Sequence, residues 1–474
     1  MTAGPAITTA APSGAVALAH LVSRTRLLAA GEVDDLLDVI GDDGFAWLRE
    51  GAGFVTAGVA GRIPVGAGPG RFAEAAEAAA GALQSITVDG PSPGGENCVP
   101  GAGPIAVGAL PFDDRSPGSL LVPALTVVRR AGGSGWVTVV GPRSEEDRLD
   151  PERITYRYGP QSAPASPAGL DSAAGPLPPA ADRFGPTGAR HHLNGHSGVE
   201  AVVDRREVPG QAVWTESVRR ILADIDAGEV RKVVLARQLV VEAGGRFDRR
   251  VILDRLRRSH PSCFTYAAGD FVGASPELLI RRRGNDVASC PMAGTVRRGD
   301  TPEEDQALVA GLRRSVKEAE EHRLLVEAVV SALAPVCAEP PTAGEPDVVR
   351  FPTVSHLATR VSGVLRDPAP SALALAGRLH PTPAVGGLPR SEALAAIADL
   401  EGFDRGLYAG PVGWVDANGD GEWAVALRGA QLDGSRARLV AGAGIVAGSD
   451  PDAEWAETEA KLRPMLAAVG ALPA

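Results

Sequence analysis

Residues 263–294 read CFTYAAGDFVGASPELLIRRRGNDVASCPMAG. Three apolar runs, CFTYAAG, DFVGASPELLIRRR and DVASCPMAG, follow one another across short breaks, and Gly284-Asn285 supplies a turn between the last two. Upstream, Val218, Ile221, Leu222 and Ile225 recur at helical spacing, with Gly228 placed as a C-cap. KVVLARQLVV, residues 232–241, then reads as a buried strand, followed by a helix over about 250–258. Downstream, residues 302–334 are strongly helical, with Leu324, Leu325, Ala328, Val329 and Leu333 facing inward. The final third alternates a helix (391–400), strands (407–415, 422–432, 436–446) and a closing helix over about 452–468. The elements are mixed without a regular βαβ alternation, which predicts an α+β fold with a largely antiparallel sheet. No internal repeat is visible.

The remaining segments divide the 474 residues into four parts. Residues 1–14 have the composition of a disordered tail, and 15–150 read as a β-rich N-terminal subdomain. Residues 151–207, rich in Pro, Ala and Gly, read as a linker, and 208–474 form the large C-terminal region. The linker carries His191, His192 and His196, which without a neighbouring carboxylate or thiol read as incidental. A net charge of −11 argues against a nucleic-acid partner. No apolar run is long enough for a membrane span, and the first residues lack the basic start of a signal peptide. Cys98, Cys263, Cys290 and Cys337 are widely spaced, as in a reduced protein, and a cytoplasmic location is expected. The basic residues are unusual: only Lys232, Lys317 and Lys461 are lysine, and all others are arginine. A lysine that survives such a bias is a candidate for a position where a guanidinium cannot serve, since lysine can lose its proton when desolvated and arginine cannot.

Glu318 and Glu321 are spaced i, i+3 on one helix, and Glu454 and Glu457 repeat that spacing on another. Two such faces brought together make an oxygen-only site for a hard cation such as Mg²⁺. The same spacing fits solvated helix faces, with Glu457–Lys461 as a surface pair, and spacing alone leaves both readings open. AGAGIVAGSD, residues 441–450, is GxGxxxG rather than a dinucleotide fingerprint, though a strand ending in glycines before a helix can cradle an anion. No phosphate-binding G-x-x-x-x-G-K-[ST] occurs.

Taken in order, GASPELL (273–279), PMAGTVRRG (291–299), SVKEAEEHRLLV (315–326), VSHLATRVSG (354–363), HPTPAVGGLPR (380–390), FDRGLYAGPVGW (403–414), AVALRGA (424–430) and AGAGIVAGSDPDAEWAETEAKL (441–462) resemble the chorismate-utilising enzyme family, most closely its isochorismate synthases. The resemblance covers about 208–470 densely. It implies an anthranilate synthase component I-like fold, a large, largely antiparallel β-sandwich flanked by helices. It also implies an Mg²⁺-dependent isomerisation in which water adds at C2 of chorismate and the 4-hydroxyl leaves.

What the resemblance implies can be placed on single residues. Lys232 matches the base that activates the water, and that role asks for a desolvated amine among apolar neighbours. Glu277 matches the acid that protonates the leaving hydroxyl, with a pKa raised by an apolar setting. Glu321 and Glu457 match the metal ligands, and Glu318 and Glu454 would hold metal-bound water. Arg428, read as part of the strand AVALRGA, would grip a carboxylate, with Lys461 and the backbone at Gly442 completing the anion site. Gly294, Thr295, His356, Ala384 and Tyr408 fall on the substrate side. His322 is expected to cap or pair with Glu318, and Lys317 to form a structural salt bridge. The family implies a monomer.

Ala384 bears on the reaction. Pyruvate-eliminating relatives generally carry Thr there, and isochorismate synthases carry Ala. The expectation is therefore isochorismate synthesis, with salicylate synthesis or an amine-incorporating reaction as the alternatives, and a non-catalytic chorismate-binding protein more remote.

Overall fold

A computed structural model describes residues 18–29, 31–89, 103–144 and 202–472. The N-terminal tail, most of the linker with its three histidines, and Cys98 lie outside the described residues.

The strand Lys232–Ala243 is buried along nearly its whole length, because Val, Leu and Ala occupy both of its faces. It pairs antiparallel with Arg436–Ile445. From there the ladder runs through Gly429–Asp433, Phe271–Ser275, Phe264–Ala268, Phe45–Arg49 and Ala52–Val65 to Gly118–Arg129. That last strand also contacts Ile105–Ala109, and the ladder returns through Pro411–Asp416, Gly421–Val425 and Leu278–Arg283 to Asp286–Cys290. The two arms face each other over an aromatic core of Phe45, Trp47, Phe54, Phe264, Tyr266, Phe271 and Trp414. Every one of these pairings is antiparallel, while Leu21–Leu27 with Thr87–Asp89 is parallel. Two strands of the first 150 residues, Phe45–Arg49 and Ile105–Ala109, thus pair with strands of the later region, so both regions share one sheet. The strand Val202–Val208 begins within the segment read as linker and pairs with Lys232–Ala243.

A second, three-stranded sheet joins Met292–Arg297, Val354–Ala358 and Asp347–Arg350. Helices cover the outside, and several start where the sequence provides a cap. Asp248 opens Arg249–Ser259, Thr301 opens Pro302–Arg314, and Asp450 opens Pro451–Ala468.

Four local departures from the sequence reading bear on the site. The second run of the opening segment is two strands, Phe271–Ser275 and Leu278–Arg283, with a corner at Pro276-Glu277. Proline has no N–H for the ladder, so pairing stops there. The third run is broken in the same way at Pro291. The 302–334 helix is two helices, because the Ser315 side chain caps Val316–Leu333 by accepting from the Glu318 backbone N–H at 3.2 Å. The strand expected over 422–432 divides at Ala426–Arg428, and Arg428 adopts a left-handed φ of 52°. Arg428 is therefore at a kink rather than within a strand.

Candidate active site

The corner, the kink, the capped helix and the C-terminal helix converge on one pocket. Its walls carry Glu277, Gly294, Thr295, Lys317, Glu318, Glu321, His356, Ala384, Tyr408, Arg428, Gly442, Glu454, Glu457 and Lys461. Lys232 opens its strand just behind this wall, and its ammonium donates to Glu321 Oε1 at 2.7 Å. Every candidate position named from the sequence thus falls at one place, and Lys317 joins them.

Glu277 sits at the corner, 4% exposed. Its backbone N–H donates to Ser275 Oγ at 3.2 Å, and its carbonyl accepts from Val425 N at 3.1 Å, which fixes the side chain toward the pocket. Burial raises its carboxyl to about 8, although the charges of Lys232, Lys461 and Arg428 pull the other way. A carboxylic acid with this value holds its proton at neutral pH. Lys232 is 2% exposed, as a desolvated amine should be, but its partner is a carboxylate and not only apolar neighbours. Room for that pair depends on Gly444, which the sequence reading placed only in the GxGxxxG segment: a Cβ there would stand 3.0 Å from Lys232 Cε and 3.1 Å from Glu321 Oε1.

Opposite lie the four glutamates. For Glu321, burial alone would raise the carboxyl, but the adjacent Lys232 ammonium outweighs it and holds the carboxyl below its usual range. Glu318 is raised to about 7 by burial and then by the charge of Glu321, with a smaller push from Glu457. Glu454 is raised by burial and by Glu457. Among the described residues, no group of three or more acidic, His or Cys side chains stands close enough together to hold a metal as placed. The lysines separate them instead: Lys461 reaches Glu457 at 2.6 Å, and Lys317 lies 3.6 Å from Glu454. The donor set is nonetheless oxygen-only and strained by like charge. That fits a hard divalent cation held by Glu321 and Glu457, with Glu318 and Glu454 behind them. Glu457–Lys461 is part of this wall and not a surface pair.

The anion side is built around Arg428. Its Nη2 faces His356 Nε2 at 3.1 Å, and His356 Nδ1 faces Thr295 Oγ1 at 3.1 Å. Burial and the Arg428 charge hold the His356 imidazole well below its usual range, so it is neutral. Among the described residues, buried Arg428 Nη1 has no hydrogen-bond partner, so it is a donor that awaits an acceptor. Lys461 Nζ donates to the Gly442 carbonyl at 2.9 Å, tying that residue to the same wall. Tyr408 is buried, and its hydroxyl is pushed up to about 12 by burial. His322 does not pair with Glu318: its Nε2 faces Thr359 Oγ1 at 2.7 Å inside the core, because the side chain points away from the pocket.

The family described as chorismate binding enzyme matches residues 189–470, more than half of the chain. The chain belongs to the chorismate-binding enzyme family. Isochorismate synthase DhbC of Bacillus subtilis is 40% identical over 276 residues, 56% of this chain and 69% of that protein. Isochorismate synthase EntC of Escherichia coli is 34% identical over 372 residues, 77% of this chain and 81% of that protein. The solved structure of MenF, the menaquinone-specific isochorismate synthase of Escherichia coli, superposes with a TM-score of 0.73 at 25% identity, covering 94% of each chain. The α+β, largely antiparallel architecture expected from the sequence is thus that of the chorismate-binding enzymes. Among the described residues, no helix is long and apolar enough to cross a membrane.

Proposed function

We propose that this chorismate-binding enzyme converts chorismate to isochorismate. The observation that carries the reading is Glu277, a carboxylic acid raised to about 8 and set in the same pocket as a buried lysine. An acid that is protonated at neutral pH can deliver its proton to a departing hydroxyl, and a carboxylate cannot.

In this reading Lys232 takes a proton from a water as its oxygen bonds to C2 of the ring. The ring double bond shifts, and the C4–O bond breaks with the Glu277 proton leaving on the product water. One water enters and one leaves, so the net change is an isomerisation. Lys232 Nζ acts as a base only as the neutral amine, so one ammonium proton must leave before the water is activated, while a remaining N–H can keep donating to Glu321. Arg428, through its unpartnered Nη1, and Lys461 hold a substrate carboxylate by charge-assisted hydrogen bonds. Gly294, Thr295 and His356 orient Arg428 and the ring, and Tyr408 closes the apolar side. Mg²⁺ bound at Glu321 and Glu457 would neutralise a second carboxylate of the substrate. Ala384, a methyl group on the wall, offers no hydroxyl to assist loss of the enolpyruvyl group.

Incubating the protein with chorismate, Mg²⁺ and ammonia in ¹⁸O-water tests the assignment. The expected product separates from chorismate by chromatography, carries one heavy oxygen and contains no nitrogen. Release of pyruvate or uptake of nitrogen would transfer the assignment to salicylate synthesis or to an amine-incorporating reaction.

A further inference from the structure

The three lysines of the chain all end on the four-glutamate cluster. Lys232 donates a hydrogen bond to Glu321 at 2.7 Å, and Lys461 closes an ion pair with Glu457 at 2.6 Å while donating to the Gly442 carbonyl. Lys317 is different. Its Nζ lies 3.6 Å from Glu454 Oε1 and 3.9 Å from Glu318 Oε1, within ion-pair range of two helices but beyond a hydrogen bond to either. Its side chain is 40% exposed, while that of Glu454 is 6% exposed. The ammonium therefore stands at the mouth of the pocket with solvent on its other side.

Charge alone does not account for lysine at this position. Apart from Lys461, arginine supplies the other positive charges on these two helices and their neighbour, at Arg313, Arg314, Arg323 and Arg463. A guanidinium here would meet the carboxylates with a planar fork and bind them bidentately. An ammonium is a compact point charge that neutralises two carboxylates without chelating them.

We propose that Lys317 is a releasable counter-cation. It offsets the negative charge of Glu318 and Glu454 while the cluster is empty and swings to solvent when a divalent ion binds, so it sets the affinity of the cluster for that ion. The proposal rests on the reading that the cluster takes a divalent cation. Neutralisation without chelation explains why lysine and not arginine occupies this place. It also explains why the outer pair of carboxylates meets its cation at longer range than the inner pair.

Calorimetric titration of Mg²⁺ into the full chain without substrate tests it, on wild type, Lys317→Met and Lys317→Arg. The expected order is methionine tightest and arginine weakest. Loss of the charge in the methionine variant should tighten binding about ten-fold, the scale of one unit charge removed from the surroundings of a divalent ion at partial solvent exposure, while arginine, at equal charge, should weaken it by chelating the carboxylates. A salt bridge that merely ties the two helices together would leave affinity unchanged, or weaken it in the methionine variant while arginine rescued it. Either result overturns the proposal. Lys317→Gln, neutral and polar, repeats the test if the methionine variant does not fold. If wild type and all variants take up neither Mg²⁺ nor Mn²⁺, the metal reading falls and the proposal with it. If wild type binds but the order fails, only Lys317 is misassigned.

Discussion

Replacing Glu277 by glutamine removes one buried titratable proton, and its effect on stability follows from the position of that carboxyl. In the folded protein Glu277 titrates near 8, against an ordinary value of 4.5. Between those values the folded state holds a proton that the unfolded chain has released. Stability therefore falls as pH rises, at about 1.4 kcal/mol per pH unit, and levels off above the folded value. Over the window from pH 5 to pH 9 the wild type should lose about 4 kcal/mol through this group alone. The amide of the glutamine variant does not titrate, so the variant lacks this loss entirely. Urea unfolding of both proteins at unit steps of pH, in EDTA, gives the comparison. Glu318, raised to about 7, and Asp416, raised to about 6, titrate in both proteins and largely cancel in the difference. The stability difference should shift by about 4 kcal/mol in favour of the variant as pH rises from 5 to 9. A difference that stays flat would show that the carboxyl is ionised at neutral pH, and the acid role would go with it. Wild-type turnover should decline in parallel as pH rises through about 8.

Three further substitutions probe separate parts of the argument. Lys232→Ala should abolish turnover while chorismate binding stays measurable by calorimetry; near-normal turnover would remove Lys232 from the base role. Gly444→Ala should fold, since the neighbours its added Cβ would meet are side-chain atoms, yet lose turnover at least about ten-fold, because that Cβ would stand 3.0 Å from Lys232 Cε and 3.1 Å from Glu321 Oε1 and displace them. Unchanged kcat in that variant would show that the lysine needs no such clearance. Glu401→Ala should cost about 3–5 kcal/mol in urea unfolding, because it leaves the buried Arg405 guanidinium without its counter-ion, with only the Val385 and Val234 carbonyls to meet it. A cost near zero would show that water reaches the arginine.

The strand and helix phases were legible because apolar spacing is a property of one element at a time. Lys232–Ala243 and the closing helix appear within a residue or two of their expected bounds. The breaks were harder to see. Pro276-Glu277, Ser315 and Arg428 each interrupt an element whose apolar pattern continues across them, and each break is what turns a functional side chain into the pocket. The pairing of Lys232 with Glu321 joins residues far apart in sequence, so local pattern could not show it. Gly444 matters through the side chain it lacks. Lys317 was expected only to form a structural salt bridge, and its meaning came from its place between Glu318 and Glu454 on two separate helices.

The confinement of lysine to one wall also makes the protein unusually suited to chemical labelling. In most proteins an amine-directed reagent marks dozens of surface sites. Here reductive methylation with ¹³C-formaldehyde would place isotope on Lys232, Lys317, Lys461 and the chain's α-amino group only. Three side-chain resonances would then report on the pocket without background. Their differing exposure, from 2% for Lys232 to 40% for Lys317, would set the order in which they react.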